Sequence, residues 1–375
     1  MLGRPRLPDG LNRIDRLVCG GIAAVAAGLL LSLQLLSATA QVPARSEPIA
    51  AAVDDARPIE ITAHRISSFD RGSGERRRFG RLEFRGGLVL KSPAKGFGGL
   101  SGLTIAPDGR RFLAVSDEGA WLSGDIAYEG QAPVAIANAR MGPIRGIGGR
   151  GLDKKRDLDA EAVTFLDGTL AQGTLLIAFE RNQRIGRFPI IDGVLQNPAG
   201  YLKLPPEARR MRANKGFESV TVMQGGPFKG SPVAFSERFP DNPTQHAGWI
   251  WIRGEPQRLG FLDIGEFEVT DAASLADGAL LVLERRFRWT EGVKMRIRRF
   301  APEQVRPGAV MQSETLIEAD LSFEIDNMER LAVHRSASGQ TILTLVSDDN
   351  FNSFLQRTIL LQFTLVDEVP AAVRW

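Results

Sequence analysis

One recurring pattern constrains the fold of this chain more than any other: an apolar strand, a glycine-marked turn, and a second apolar strand that ends at an acid. The clearest copy runs Asp159-Ala160-Glu161-Ala162-Val163-Thr164-Phe165, turns at Asp167-Gly168, and returns through Leu175-Leu176-Ile177-Ala178-Phe179 to Glu180-Arg181-Asn182. Short apolar runs on both sides of a turn signal predict a β-hairpin. In an antiparallel pair the first and last residues lie at the same end, so Glu161 and Glu180 are expected close together in space.

The pattern is written five times. The first copy is Leu100-Ser101-Gly102-Leu103-Thr104-Ile105, Asp108-Gly109, then residues 112–116 and Asp117-Glu118. The third opens at Phe217-Glu218-Ser219-Val220, turns at Gly225-Gly226 and ends at Glu237-Arg238. A shorter fourth leads from Thr270-Asp271 through Asp277-Gly278 to Glu284-Arg285-Arg286, and the fifth from Met328-Glu329-Arg330 through Ser338-Gly339 to Asp348-Asp349-Asn350. The closing acids at 117, 180, 237, 284 and 348 stand about 50 to 65 residues apart, an interval that suits the four-stranded blade of a β-propeller. The expected fold is therefore all-β, a propeller over residues 59–375 with six blades, five of them visible as hairpins. Early strands at 59–66 and 82–90 either help to build another blade or pair with the final strand at 358–365 to close the ring, which removes exposed sheet edges. Helical periodicity is confined to a turn or two at 207–212.

The beginning of the chain reads as a targeting segment. Arg4, Arg6, Arg13 and Arg16 precede an apolar run at 17–36, and Ala38-Thr39-Ala40 offers a cleavage site, the layout of a signal peptide over residues 1–40. An uncleaved anchor is the alternative. Residues 41–58 are Ala/Pro-rich and read as a flexible lead-in. The expected location is periplasmic or secreted, with no membrane span after cleavage. Cys19, the sole cysteine, lies inside the apolar run, so the exported part has no disulfide. Removing the leader's four Arg and two Asp (+2) from the chain's +3 leaves +1, which argues against a nucleic-acid partner. Runs such as Arg76-Arg77-Arg78 read as solvated loop. The glycine-rich basic stretch 121–157 reads as a mobile loop, and 293–300 as an exposed strand with Lys294, Arg296 and Arg298 on one face.

If each repeat is the inner hairpin of a blade, Asp117, Glu161, Glu180, Glu218, Glu237, Glu329 and Asp348 converge at one mouth of the central channel. Asp159, Glu284 and Asp349 are expected beside them, and Arg181, Lys215, Arg238, Arg285 and Arg330 supply counter-charge. The intervals 161–180, 218–237 and 329–348 are each 19 residues. Such acids either pair with arginines between blades or, because crowded carboxylates repel, gather a hard cation. Ca²⁺ accepts six to eight oxygen ligands in loose geometry, which several blades can supply. Zinc is disfavoured: His64, His246 and His334 are scattered and no cysteine is at hand. Gly99-Leu100-Ser101-Gly102-Leu103 lacks the second glycine of a nucleophile elbow, so Ser101 reads as a structural residue.

Gly98-Gly99-Leu100-Ser101-Gly102-Leu103, Ser116-Asp117-Glu118-Gly119, Asp159-Ala160-Glu161-Ala162, Asn214-Lys215-Gly216-Phe217-Glu218, Ser236-Glu237-Arg238 and Ser347-Asp348-Asp349-Asn350 together resemble the phytase-like family, "esterase-like activity of phytase", of exported bacterial proteins. The resemblance implies a propeller that hydrolyses phosphoric or other esters of a small molecule. It implies Ca²⁺ held by ligands drawn from Asp117, Glu161, Glu180, Glu218, Glu237, Glu329 and Asp348, with Arg181, Asn182, Lys215, Arg238 and Arg285 on the substrate. A non-enzymatic binding or scaffold propeller and a carboxylic-ester or lactone hydrolase stay open beside it.

Overall fold

The computed structural model describes residues 55–211, 215–239, 243–352 and 354–366; the expected signal peptide and residues 41–54 of the lead-in lie outside the described residues. Among those described, no helix is long and apolar enough to cross a membrane.

The strands form five antiparallel-built sheets. From the inside outward, the first blade is Leu100–Ile105, Arg111–Ser116, Ala120–Glu129 and Ala132–Pro143. The second is Ala160–Gly168, Gln172–Phe179 and Arg184–Ile191, edged by Val194–Leu195 and Gly200–Tyr201. The third is Phe217–Val222, Pro232–Ser236, Gln245–Ile252 and Glu255–Leu262, and the fourth Glu268–Ser274, Leu280–Arg288, Gly292–Phe300 and Ser313–Ala319. The fifth takes Met328–Arg335, Thr341–Ser347 and Thr358–Leu365 from the end of the chain and Leu82–Lys91 and Thr62–Ile66 from its beginning.

That last blade corrects the expected six to five. The early strands build no blade of their own. Leu82–Lys91 pairs antiparallel with Thr358–Leu365, from Thr358 opposite Leu90 to Leu365 opposite Leu82. The two ends of the chain thus share one sheet, and the edges that each would expose alone are covered. The innermost strands of neighbouring blades contact one another all the way round, from the first blade through the fifth and back.

Packing follows from the alternation. Each blade presents one apolar face to the blade before it and one to the blade after, so five cores lie in five interfaces. Between the second and third blades Phe217 packs edge-on against Trp249, ring centroids 5.6 Å apart, and both are fully buried. Truncating an aromatic of this kind to Ala costs about 3–5 kcal/mol. This supplies the cohesion that a chain without disulfides requires.

Two further expectations change. Most of 121–157 is no loop: Ala120–Glu129 and Ala132–Pro143 are the outer strands of the first blade, and their many small residues conceal the alternation. Only 144–159 connects blades. Nor is the strand at 293–300 an exposed one. Arg296 and Arg298 are 5 % and 2 % exposed and both bind the carboxylate of Glu284, at 2.8 and 3.1 Å. The turn expected at 207–212 is a 3₁₀ turn at Pro206–Arg210.

Candidate metal and substrate site at the channel mouth

A β-bulge repeats at the same place in every inner strand. The pairing register skips Ser101, Glu161, Glu218, Thr270 and Glu329 in blades one to five. A bulge leaves its extra residue outside the ladder and re-aims the side chain. Just before it, the chain crosses to the second strand through backbone hydrogen bonds to the lip residues: Asp117 N–H to Gly99 O, Glu180 to Asp159, Glu237 to Gly216, and Asp348 to Asn327, 2.8 to 3.2 Å. In the fourth blade Arg285 lies opposite Glu268. Each blade therefore delivers three equivalent positions to the mouth. They are Gly99, Ser101 and Asp117; Asp159, Glu161 and Glu180; Gly216, Glu218 and Glu237; Glu268, Thr270 and Arg285; Asn327, Glu329 and Asp348.

The expected convergence holds for Asp117, Glu161, Glu180, Glu218, Glu237, Glu329 and Asp348. It fails for Glu284. By register the residue equivalent to the other closing acids is Arg285, and Glu284, one position earlier, points to the opposite side of the strand. There it is fully buried with Arg296 and Arg298, with His246 Nε2 3.8 Å away. Asp349 also turns aside: its carboxylate accepts from Gly99 N–H, Phe351 N–H and Thr358 Oγ1 at 2.9, 3.1 and 2.9 Å. Gly99 is required there. Its φ is +55°, and a Cβ would lie 2.6 Å from Asp117 Oδ1.

Acids concentrate in the second and third blades. Oxygens of Asp159, Glu161 and Glu180 lie within 4.8 Å of one another, as do those of Glu180, Glu218 and Glu237. Glu180 also accepts from Gly216 N–H at 3.1 Å and hydrogen-bonds to Glu218. Burial first, and neighbouring carboxylates after it, pushes Glu218 well above the usual carboxylate range. Burial does the same to Glu161 even with Arg330 beside it. Glu237 is pushed up to about 7 by burial and by Glu268, and Asp348 to about 7 by burial and by Glu329.

The cations sit mainly opposite acids. Lys155 bridges Asp117 Oδ2 (2.7 Å), Asp159 Oδ1 (3.1 Å) and Glu118 Oε1 (3.2 Å). Arg181 Nε binds Asp159, and Asn182 Nδ2 donates to Asp157 Oδ1 at 2.8 Å. Lys215 holds Glu237 and Glu268 at 2.5 and 3.0 Å, and Arg238 reaches the same Glu268 oxygen at 3.1 Å. Arg285 binds Glu329 at 2.9 Å and Asn327 Oδ1 at 2.6 Å. Arg330, 1 % exposed, crosses the channel to Glu161 (3.3 Å), Glu329 (3.0 Å) and Thr270 O (2.9 Å). Glu180, Glu218 and Asp348 make no ion pair with any described residue. Among the described residues, three buried atoms at the mouth have no hydrogen-bond partner: Asp117 Oδ1, Arg285 Nε and Arg330 Nε.

The opposite end of the channel has different chemistry. A cavity of about 510 Å³ there is lined by the far ends of the five inner strands, including Thr104, Thr164, Thr221 and Leu331.

The sequence profile described as "Phytase-like: Esterase-like activity of phytase" matches residues 95–351. The chain belongs to the phytase-like family. The matched span runs from just before the first lip residue to just past Asp348, so all three mouth positions of every blade of this phytase-like protein lie within it. No curated protein matches it in sequence. Among solved structures, the Dos1 propeller aligns at 8 % identity and a TM-score of 0.31, covering 77 % of this chain and 76 % of that one. The β-propeller domain of Myceliophteria thermophila Cps50 (Swd1) aligns at 10 % identity and a TM-score of 0.37, covering 82 % of this chain and all of that one.

Sequence reasoning missed Glu268, Asn327 and the role of Lys155. The Phe-Glu pair of Phe217-Glu218 recurs at Phe267-Glu268, but the register puts Thr270, not Glu268, at the bulge position of Glu218.

Proposed function

We propose that this phytase-like protein is an exported hydrolase of phosphoric esters that works at the acidic mouth with Ca²⁺. The observation that carries the reading is the group Glu180, Glu218 and Glu237. Their oxygens lie within 4.8 Å of one another, and Glu180 and Glu218 make no ion pair with any described residue. The donors are all carboxylate oxygens, which suits a hard divalent cation. The buried, unpartnered Asp117 Oδ1 across the mouth is of the same donor type. Glu161, Glu180, Glu218 and Glu237 would hold the ion, with Asp117, Glu329 and Asp348 as further oxygens on the rim. When bound, such an ion supplies charge for the phosphoryl oxygens and lowers the pKa of a coordinated water.

The chain's own residues provide the rest. Arg285 and Lys215 flank the mouth and place positive charge beside the phosphoryl group, and Arg285 Nε still has a free donor. Arg181, Asn182 and Arg238 lie on the outer rim. Without the ion, burial and Glu268 push Glu237 up to about 7, so a proton and Ca²⁺ would compete for its oxygens near neutral pH. Export rests on the sequence pattern of the first 40 residues. A second reading, a binding propeller without turnover, is favoured by the engagement of all the mouth cations by acids. Phosphate release from 4-nitrophenyl phosphate tests the phosphoesterase: a rate with Ca²⁺ that falls at least a hundredfold in chelator is expected, and equal negligible rates in both would remove it.

A further inference from the structure

Beside the acidic mouth, on the same face, a groove of about 790 Å³ runs between the fourth and fifth blades. Its inner part is shared with the mouth through Arg238, Glu268, Arg285 and Asn327. Its outer part carries an apolar strip of Phe287, Val293, Leu321 and Leu355, set among polar and charged side chains that include Glu266, Arg286 and Arg288. Phe287 is 54 % exposed, Leu355 73 % and Leu321 45 %. Trp289, 93 % exposed, stands edge-on to Phe287 with ring centroids 5.6 Å apart. The gradient from charged to apolar follows one strand. Arg285 and Phe287 are two residues apart on the same face of Leu280–Arg288, so about 6–7 Å separates them.

Large apolar side chains exposed together beside a polar site mark a place where ligand is bound. Charge at the mouth narrows the class. Lys155, Arg181, Lys215, Arg238, Arg285 and Arg330 are already committed to acids there, whereas Glu180, Glu218 and Asp348 make no ion pair with any described residue. A polyanion would find no free cluster of cations among the described residues of the mouth. A single phosphoryl group fits better, and the groove gives the rest of the molecule an apolar wall.

We propose that this groove seats the alcohol portion of the ester, so that the substrate is a soluble phosphate monoester carrying an alkyl or aryl group. The inference rests on the hydrolase reading and narrows it. In that reaction the oxygen of water forms the new bond to phosphorus and the bond from phosphorus to the alcohol oxygen breaks. One proton of the water passes to the departing alkoxide, giving free alcohol and inorganic phosphate.

The test is calorimetric titration of the intact protein in Ca²⁺ with octylphosphonate, methylphosphonate and inositol hexakisphosphate. Octylphosphonate is expected to bind at least tenfold tighter than methylphosphonate, about 1.4 kcal/mol. The variant Phe287→Ser/Leu355→Ser should bring that ratio toward one. Equal affinities for the two phosphonates, no binding of either, or a ratio unchanged in the variant would overturn the proposal. So would tighter binding of the hexakisphosphate, or binding to phosphatidate vesicles without binding to monomeric octylphosphonate. The hydrolase reading fails separately: release of phosphate from 4-nitrophenyl phosphate without a chain-length effect removes the groove alone, and a chain-length effect without turnover removes the hydrolase alone.

Discussion

Glu218 occupies the bulge of the third blade, where its carboxyl hydrogen-bonds to Glu180 and no described cation forms an ion pair with it, Arg330 favouring its charge only weakly. Burial and the charges of Glu161, Glu237 and Glu180 all disfavour its ionised form. A carboxylate held in such a place costs the folded state free energy unless a cation joins it. Glu218→Gln keeps the shape and removes the charge. In chelator at pH 7.5 the variant's melting temperature should not fall and should rise by about 1–3 °C, while the rise produced by Ca²⁺ in the parent protein disappears. A variant that melts lower in chelator and still responds to Ca²⁺ would show that Glu218 serves packing and not the ion. The residue itself was legible in the sequence, because Glu161, Glu218 and Glu329 stand at one spacing from their return acids. The bulge that aims it was not, since a one-residue irregularity leaves no mark in an apolar/polar pattern.

Strand phase decides the fate of Glu284. Leu280-Leu281-Val282-Leu283 is uniformly apolar, being buried on both faces between blades, so alternation gives no clue to which side the next residue takes. The register puts Arg285 at the mouth and Glu284 in the interface with the third blade, where it holds Arg296 and Arg298. Breaking a buried ion pair from one side leaves uncompensated charge, at a cost of about 3–5 kcal/mol. Glu284→Ala should therefore lower the unfolding free energy by that amount in a denaturant titration, and leave Ca²⁺ affinity of the folded protein unaltered. Loss of Ca²⁺ binding with unchanged stability would place Glu284 at the mouth after all. The ring-closing role of the final strand was readable in advance. The blade number was not, because the strands at 62–66 and 82–91 suit a further blade as well as they suit the outer half of the blade that the final strand belongs to.

At the level of the whole propeller, the mouth gathers charge from every blade, and its protonation should govern stability. Glu237 and Asp348 have folded-state values of about 7, raised by burial above the unfolded carboxylate range. In the window from roughly pH 4.5 to 7 the folded protein then binds more protons than the unfolded chain, so stability falls as pH rises through it. With chelator present, melting temperature should decline from pH 5 to pH 7.5. Saturating Ca²⁺ should flatten that decline and have little effect at pH 5, where protons compete for the same oxygens. A melting temperature that climbs across this range in chelator would mean that the mouth acids are satisfied by their arginines alone. The convergence of acids on one face was visible in the sequence because it depends only on hairpin topology. The tally of ion pairs was not, because Lys155 reaches the mouth from the connection between blades and Glu268 fills a lip position that holds glycine, aspartate or asparagine in the other blades.

The most direct measurement is a crystal structure of the protein soaked in Ca²⁺, with anomalous scattering used to locate the ion. A peak within about 2.3–2.6 Å of oxygens from Glu180, Glu218 and Glu237 is expected. A mouth with no anomalous peak, and with Glu180 and Glu218 still hydrogen-bonded to each other at neutral pH, would contradict the metal site on which the proposed chemistry depends.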